Sequence, residues 1–311
     1  MPPPDADPAW LDELALSPGP PWLSMGVRPL DLDEWLVLDA RYGEELALKE
    51  RLLAERFDEV FAARAGTEAA SAEVLELVQA WLVTHGGHRR SGRAGPLSAD
   101  EGAGLHPLDQ AGRLVQEDLC LMVETDGAYR LEAASLCFPS HWRLHEKLGS
   151  SLAAIHSPVA HYDVELERRV DTFFQRLRAD HPVRRRNLSI HNHDELFRPE
   201  PHETPDSFPP DSSGVERIWL RSERQTLLRL PQTGAVLFTI KTQQCPVAVL
   251  GGRPDIAAGL ATRLRAEQTE AARRDDPIPF PPWLPRWLDD IGTSWVRTSE
   301  NDRSPGPTPG S

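Results

Sequence analysis

A chain of 311 residues with 48 acidic and 34 basic side chains has a formal net charge of -14, an excess that repels polyanions at long range and argues against nucleic acid as a partner. The length allows one large domain with appended segments, or two smaller ones. No run of about 18 apolar residues is present to span a bilayer, and the opening MPPPDADPAW lacks the basic-then-apolar order of a secretory signal, so a soluble, cytoplasmic protein is expected.

Residues 1–30 are rich in proline, and a disordered tail is expected there. From Asp31 to Thr84 the pattern turns helical, with Leu46, Leu53, Phe57, Val60 and Phe61, then Val74, Leu75, Leu77, Val78 and Leu82 at helical intervals. GGHRRSGRAGPLSADEGAG (86–104) has no periodicity and reads as a loop. From Leu114 the grammar changes. QEDLCLMVET and AYRLEAASLCF are short apolar runs separated by Asp126-Gly127, the signature of a two-residue hairpin between antiparallel strands. Val164 to Leu177 carries Val164, Leu166, Val170, Phe173, Phe174 and Leu177 at amphipathic-helix spacing. Candidate strands follow at 187–191, 215–223 and 235–242, interrupted by RPEPHETPDSFPPDSSG, which is too proline-rich to be other than a loop. Arg253 to Glu270 reads as a helix, PIPFPPWLP as a stiff extended segment, and the end of 271–311 as disordered. Helices, then mostly strands, then helices make an α+β arrangement with a mainly antiparallel sheet.

The stretch Cys137–His156 is the densest in chemistry. His156 lies in LAAIHSPV, an imidazole in an apolar wall beside a proline, which suits a haem pocket and equally a core histidine bonded to a backbone carbonyl. His141 and His145 stand four apart in HWRLH, and His191 and His193 alternate at strand spacing. Either pair could chelate zinc, and either could be an ordinary surface pair. Arg221, Glu223, Arg224 and Gln225 form a dense polar cluster that could hold haem propionates or an internal acid, or be a solvated helix start. A buried Glu223 would pair with a protonated amine, offsetting its desolvation. Lys147 reads as a propionate partner or a surface lysine. Cys245 precedes Pro246, a weak sign of a haem thiolate ligand, and is taken as a partly buried free thiol. Three scattered cysteines, Cys120, Cys137 and Cys245, fit a reducing compartment and are one short of the four thiolates of a usual iron–sulfur cluster. GxSxG, GxxxxGK[ST] and a post-strand GxGxxG are all missing, which removes the common hydrolase, P-loop and dinucleotide readings.

The blocks VQEDLCLM (115–122), CFPSHWRLHEKLG (137–149), LAAIHSPV (152–159), RRVDTFFQRL (168–177), VRRRNLSI (183–190) and RSERQTLLRLPQTGAVLFTIKT (221–242) resemble the haem-dependent oxidative N-demethylases, specifically the haem-carrying alpha subunit and its relatives. MGVRPLDLDEWLVLDARYGEEL (25–46) looks like the opening of that family, so the resemblance runs from about Met25 to Leu260. It implies a PAS-like core, a small antiparallel sheet with helices on one side, holding haem b. With it the chain divides into a tail (1–30), a helical region and loop (31–104), the PAS-like core with its following helix (105–270) and a proline-rich extension (271–311). It implies oxidation of a small secondary amine such as dimethylamine to formaldehyde and a primary amine. Electrons would come from NADPH through partner subunits with flavin and an iron–sulfur cluster. His156, the histidine of the LAAIH block, is carried over as the haem ligand. Arg221, Arg224 and Lys147 become candidates for the propionates, and Glu223 for the amine or for proton delivery. The alternatives are a haem or small-ligand PAS-like sensor without turnover, a metal-dependent hydrolase built on His141, His145, His191 or His193, and a structural subunit with an empty pocket.

Overall fold

The computed structural model describes residues 8–14, 16, 26–85, 104–156, 164–200, 208–274 and 276–291. The expected disordered ends at 1–7, 17–25 and 301–311, and the loop at 86–103, lie outside these residues. Within the proline-rich N-terminal stretch, Ala9–Glu13 forms a 3-10 turn that buries Trp10 and Leu11. Their bulk anchors a segment whose composition alone suggests none.

In chain order the elements are β1 (Arg28–Pro29), α1 (Tyr42–Glu55), α2 (Phe57–Val60), β2 (Phe61–Ala63), α3 (Glu68–His85), α4 (Pro107–Gly112), β3 (Asp118–Thr125), β4 (Ala128–Ser135), α5 (Leu144–Lys147), α6 (Leu152–His156), α7 (Val164–Arg176), β5 (Val183–Arg186), β6 (Ser189–His191), β7 (Trp219–Arg229), β8 (Val236–Pro246) and α8 (Pro254–Arg274). All the strands join one antiparallel sheet in the order β1-β5-β7-β8-β3-β4-β2, with β6 also pairing β7. The α+β class holds. The hairpin at Asp126-Gly127 forms as read, with φ of 54° and 78° at its two central residues, the left-handed pair that matches strand twist.

Alternation along the strands divides the core. Leu119, Leu121, Ala133 and Leu237 face α1, α3 and α4 through Leu52, Leu53, Val74, Val78, Leu82 and Leu108. Cys120, Met122, Leu131, Ala134, Leu227 and Ile240 face α5, α6 and α7 through Leu144, Leu152, Phe174 and Leu177. Helices therefore cover both faces rather than one. A third cluster closes the end of the sheet, where Ile218, Leu220 and Cys245 meet α8 and the helical 284–291. Phe280 of the expected stiff segment is buried in that cluster.

Three strands were not expected. β1 and β2 are two and three residues long, and β5 is VRRR, whose polarity hides its period of two. Its arginines are tolerated because Arg184 and Arg186 both pair with Glu13, and Arg186 also donates to Gln243. β7 runs to Arg229, beyond the expected 223, while 212–217 forms a 3-10 turn. Phe57, expected inside, is exposed.

The inner side of α1 buries Glu45 and Lys49 among its apolar residues. Lys49 is 0% exposed and donates to the carbonyls of Val115 (3.0 Å) and Glu117 (2.5 Å). Lys241 of β8 is equally buried and pairs with Glu45 and, at 3.3 Å, with Asp39. Burial pushes the Asp39 carboxyl up, but the charge of Lys241 and bonds from Gln116 and the Arg41 backbone outweigh it and hold it below its ordinary value.

Glu117 is the exception in this network. Its Oε1 accepts from the Val37 N–H at 2.8 Å, and its buried Oε2 has no hydrogen-bond partner among the described residues. Burial pushes its carboxyl up to about 7, against Lys241 and the other partners. Because the folded state holds this proton more tightly than the unfolded chain, its contribution to stability is fully present below the ordinary value of 4.5 and is lost as pH rises through about 7. Urea midpoints measured across pH 5 to 8 should therefore fall, and Glu117→Gln should remove about 3 kcal/mol of that fall. An unchanged slope in the variant would show that Glu117 is ionised in the fold.

Candidate functional site

Glu223, Gln225 and Leu227 alternate on one side of β7, and Leu227 belongs to the core beneath α5, α6 and α7. The register sets Arg185 of β5 opposite Gln225 and thus on the same side. Asn187, just past β5, clamps Glu223: its Nδ2 donates to Glu223 Oε2 at 2.9 Å, its Oδ1 accepts from the Glu223 N–H at 2.7 Å, and its own N–H bonds the Glu223 carbonyl at 3.1 Å. Gln225 Nε2 gives Oε2 a second bond, at 2.9 Å. Among the described residues nothing donates to Oε1.

Arg185 faces this carboxylate without bonding it. Its Nε has no hydrogen-bond partner among the described residues. Burial pulls its guanidinium below the ordinary value, and Glu223 is the charge that opposes this. The Cys120 thiol of the same face is pushed up by burial and then by the charges of Asp118 and Glu223. An acid with one oxygen to offer and a guanidinium with an unmet Nε–H thus stand on the sheet face that carries Ile240 and Leu227 and, toward the Arg229 end, Phe174 over Tyr129. Such a pair can receive an ammonium at the acid and a carboxylate at the base.

The sequence-expected residues distribute as follows. His156 is the last residue of α6, whose Leu152 and Ile155 pack on this same face; its side chain lies outside the described residues. Lys147 donates to the Ile155 carbonyl at 2.9 Å and so ties α5 to the end of α6. Arg221, 1% exposed, shares the Glu223 side of β7, where it bonds the carbonyls of Phe138 (2.7 Å), Glu195 and Leu196 (both 3.2 Å). It braces two loops. Arg224 points to the opposite face and bonds the carbonyls of Trp35 (2.9 Å) and Glu34. A cluster that is contiguous in sequence is therefore split by the pleat, and Arg224 is not brought to the others. Arg185 and Asn187 carried no expectation, because VRRRN reads as an unpatterned basic run until strand register assigns it a face.

Two cysteine and histidine expectations change. Cys245 is fully buried rather than partly, and burial pushes its thiol up to about 12, so it stays a neutral thiol. His141 does not pair with His145, which is exposed; it meets His191 and His193 instead, with one potential ligand atom of each within 4.8 Å of the others. A cavity of about 350 Å³ lies at the β6 edge, walled by Leu188, Ile190, Phe208, Leu264 and Phe280 and reaching Ser189 and His191, where Arg263 is already neutralised by Glu267 at 2.9 Å.

The family model described as "Haem-dependent oxidative N-demethylase, alpha subunit-like" matches residues 26–273. The chain belongs to that family. Membership makes haem the cofactor class to be housed, and "alpha subunit" implies other subunits. For a haem-dependent oxidative N-demethylase of this type, the pocket must offer an apolar wall, an axial nitrogen and cations for two propionates. The face beneath α5 to α7 suits such a group in chemistry, with apolar residues for a wall and, in Arg185, a guanidinium whose Nε has no hydrogen-bond partner among the described residues. The β6-edge cavity fits less well, since its arginine is already paired. No helix among the described residues is long and apolar enough to cross a membrane.

Proposed function

We propose that this chain is the haem-binding, amine-oxidising subunit of an oxidative N-demethylase, with a small secondary amine such as dimethylamine as substrate. The observation that carries the reading is the Glu223 carboxylate, oriented by Asn187 and Gln225 with Oε1 left to offer on an apolar face. In this reading His156 would supply an imidazole nitrogen to haem b, and Arg185 would answer a propionate. Bound haem supplies the oxygen-activating chemistry. Glu223 Oε1 accepts an N–H of the ammonium, holding its methyl group toward the apolar wall, and takes the proton that must leave before nitrogen is oxidised. Ile240, opposite Gln225 on the neighbouring strand, gives that ion pair an apolar flank.

Overall, the amine and O2 with two electrons and two protons give formaldehyde, a primary amine and water. The electrons come from NADPH through partner subunits carrying flavin and an iron–sulfur cluster, in the cytoplasm. The three cysteines of this chain are free and buried, one short of the four thiolates of a usual cluster. Haem titrated into the purified chain should give a Soret band saturating at one equivalent, and His156→Ala should shift or abolish it. A flat Soret region would overturn haem binding; an identical spectrum in the variant would overturn His156 as ligand.

A further inference from the structure

We propose that His141, His191 and His193 form a binding site for a divalent transition metal of the zinc type. The three imidazoles come from two segments about 50 residues apart in sequence. His141 lies on the loop after β4, His191 ends β6, and His193 follows it. Ring centroids stand 5.7 Å (His141 to His191), 5.1 Å (His191 to His193) and 6.3 Å (His141 to His193) apart, and one nitrogen of each lies within 4.8 Å of the others. Tetrahedral zinc with Zn–N bonds of about 2.0–2.1 Å sets its nitrogens roughly 3.4 Å apart, so small ring rotations close the set. A porphyrin iron takes one axial imidazole on each side of the macrocycle. Three imidazoles converging on one point suit a bare ion.

Hydrogen bonding selects the ligand tautomers. His141 Nδ1 lies 3.1 Å from the Glu200 carbonyl, which can only accept, so Nδ1 carries the proton and the lone pair is on Nε2. The Ser189 hydroxyl donates to the Arg221 carbonyl at 3.3 Å, so it accepts from His191 Nε2 at 2.8 Å, which places the His191 lone pair on Nδ1. This outer layer of a carbonyl and a hydroxyl is what metal-bound histidines ordinarily use to orient their rings. The backbone agrees. His141 has φ of 61°, in the left-handed region that costs a non-glycine residue stability, and is held there by its N–H to the Arg198 carbonyl at 2.7 Å. The Arg221 brace, from Phe138 to Glu195 and Leu196, fixes the same two loops. His191 pairs with Trp219, four residues along β7 from Glu223 and so about 13 Å from it. The ion would therefore lie beyond the amine-binding carboxylate and leave a coordination position for water.

The test uses the full chain without a histidine tag, free of haem and stripped with chelator, titrated with Zn2+ by calorimetry and with Co2+ by visible absorption. One Zn2+ should bind per chain, Co2+ should develop the strong d–d bands of a tetrahedral site, and both should weaken as pH drops below 6 and the imidazoles protonate. His193→Asn should weaken Zn2+ at least tenfold and abolish the cobalt bands; Ser189→Ala should weaken it 10- to 100-fold; His145→Asn should change nothing. If His193→Asn does not fold, a zinc-dependent rise in the wild-type urea midpoint that His145→Asn keeps and Ser189→Ala loses supports the same site. Absence of Zn2+ binding by the wild type, or wild-type affinity in His193→Asn, would overturn it. A normal haem titration alongside failed zinc binding would sink this site and leave the demethylase reading intact.

Discussion

Glu223→Gln should lower kcat/KM for dimethylamine by roughly 100-fold, about 3 kcal/mol, while leaving the Soret band unchanged. The glutamine carbonyl can keep both bonds now made to Oε2 by Asn187 and Gln225, so the scaffold is preserved and only the charge and the proton acceptor are lost. Hydrogen bonds to a charged partner contribute about 1.5–3 kcal/mol, and more where water is excluded. The loss should appear mainly in KM if Glu223 only holds the ammonium, and in both kcat and KM if it also accepts the proton. Wild-type kcat/KM in the variant, with dithionite or the native reductase as electron donor, would remove Glu223 from the reaction.

Lys241→Met should cost 3–5 kcal/mol of folding stability, because it strands the buried Glu45 carboxylate and removes the cation facing Asp39. The urea midpoint should fall with an unchanged slope. Lys241→Met combined with Glu45→Leu should recover much of the loss, since a well-packed apolar pair of similar volume replaces a buried ion pair at little cost. A single variant within 1 kcal/mol of wild type would mean that the ion pair does not hold α1 to the sheet. This variant probes the face opposite Glu223, so haem binding per folded molecule should be unaltered.

Much of the secondary structure was legible from local patterns. Asp126-Gly127 announced its hairpin because few residue pairs accept two left-handed positions in succession. Val164–Arg176 declared itself by apolar periodicity, which a helix needs in order to pack, and Pro254–Arg274 by its alanine-rich composition. β5 did not, because its side chains are all arginine after Val183 and their burial depends on Glu13, more than 160 residues away. Phe57 of the first helical stretch misled for a related reason. The buried face of α1 includes Glu45 and Lys49, whose partners on β8 and at Val115 and Glu117 no local window contains.

The sequence by itself determined the α+β class, the hairpin, the long helices and the family, because turn chemistry, hydrophobic period and ordered motif blocks are properties of neighbouring residues. Only the tertiary structure decided that Arg221 and Glu223 share a face while Arg224 is turned away, that Arg185 and Asn187 join Glu223, and that His141 meets His191 and His193 rather than His145. Sheet register and loop return set those meetings. A one-residue change of register would exchange the faces of every side chain on β7, and nothing within a single strand states which strand lies beside it.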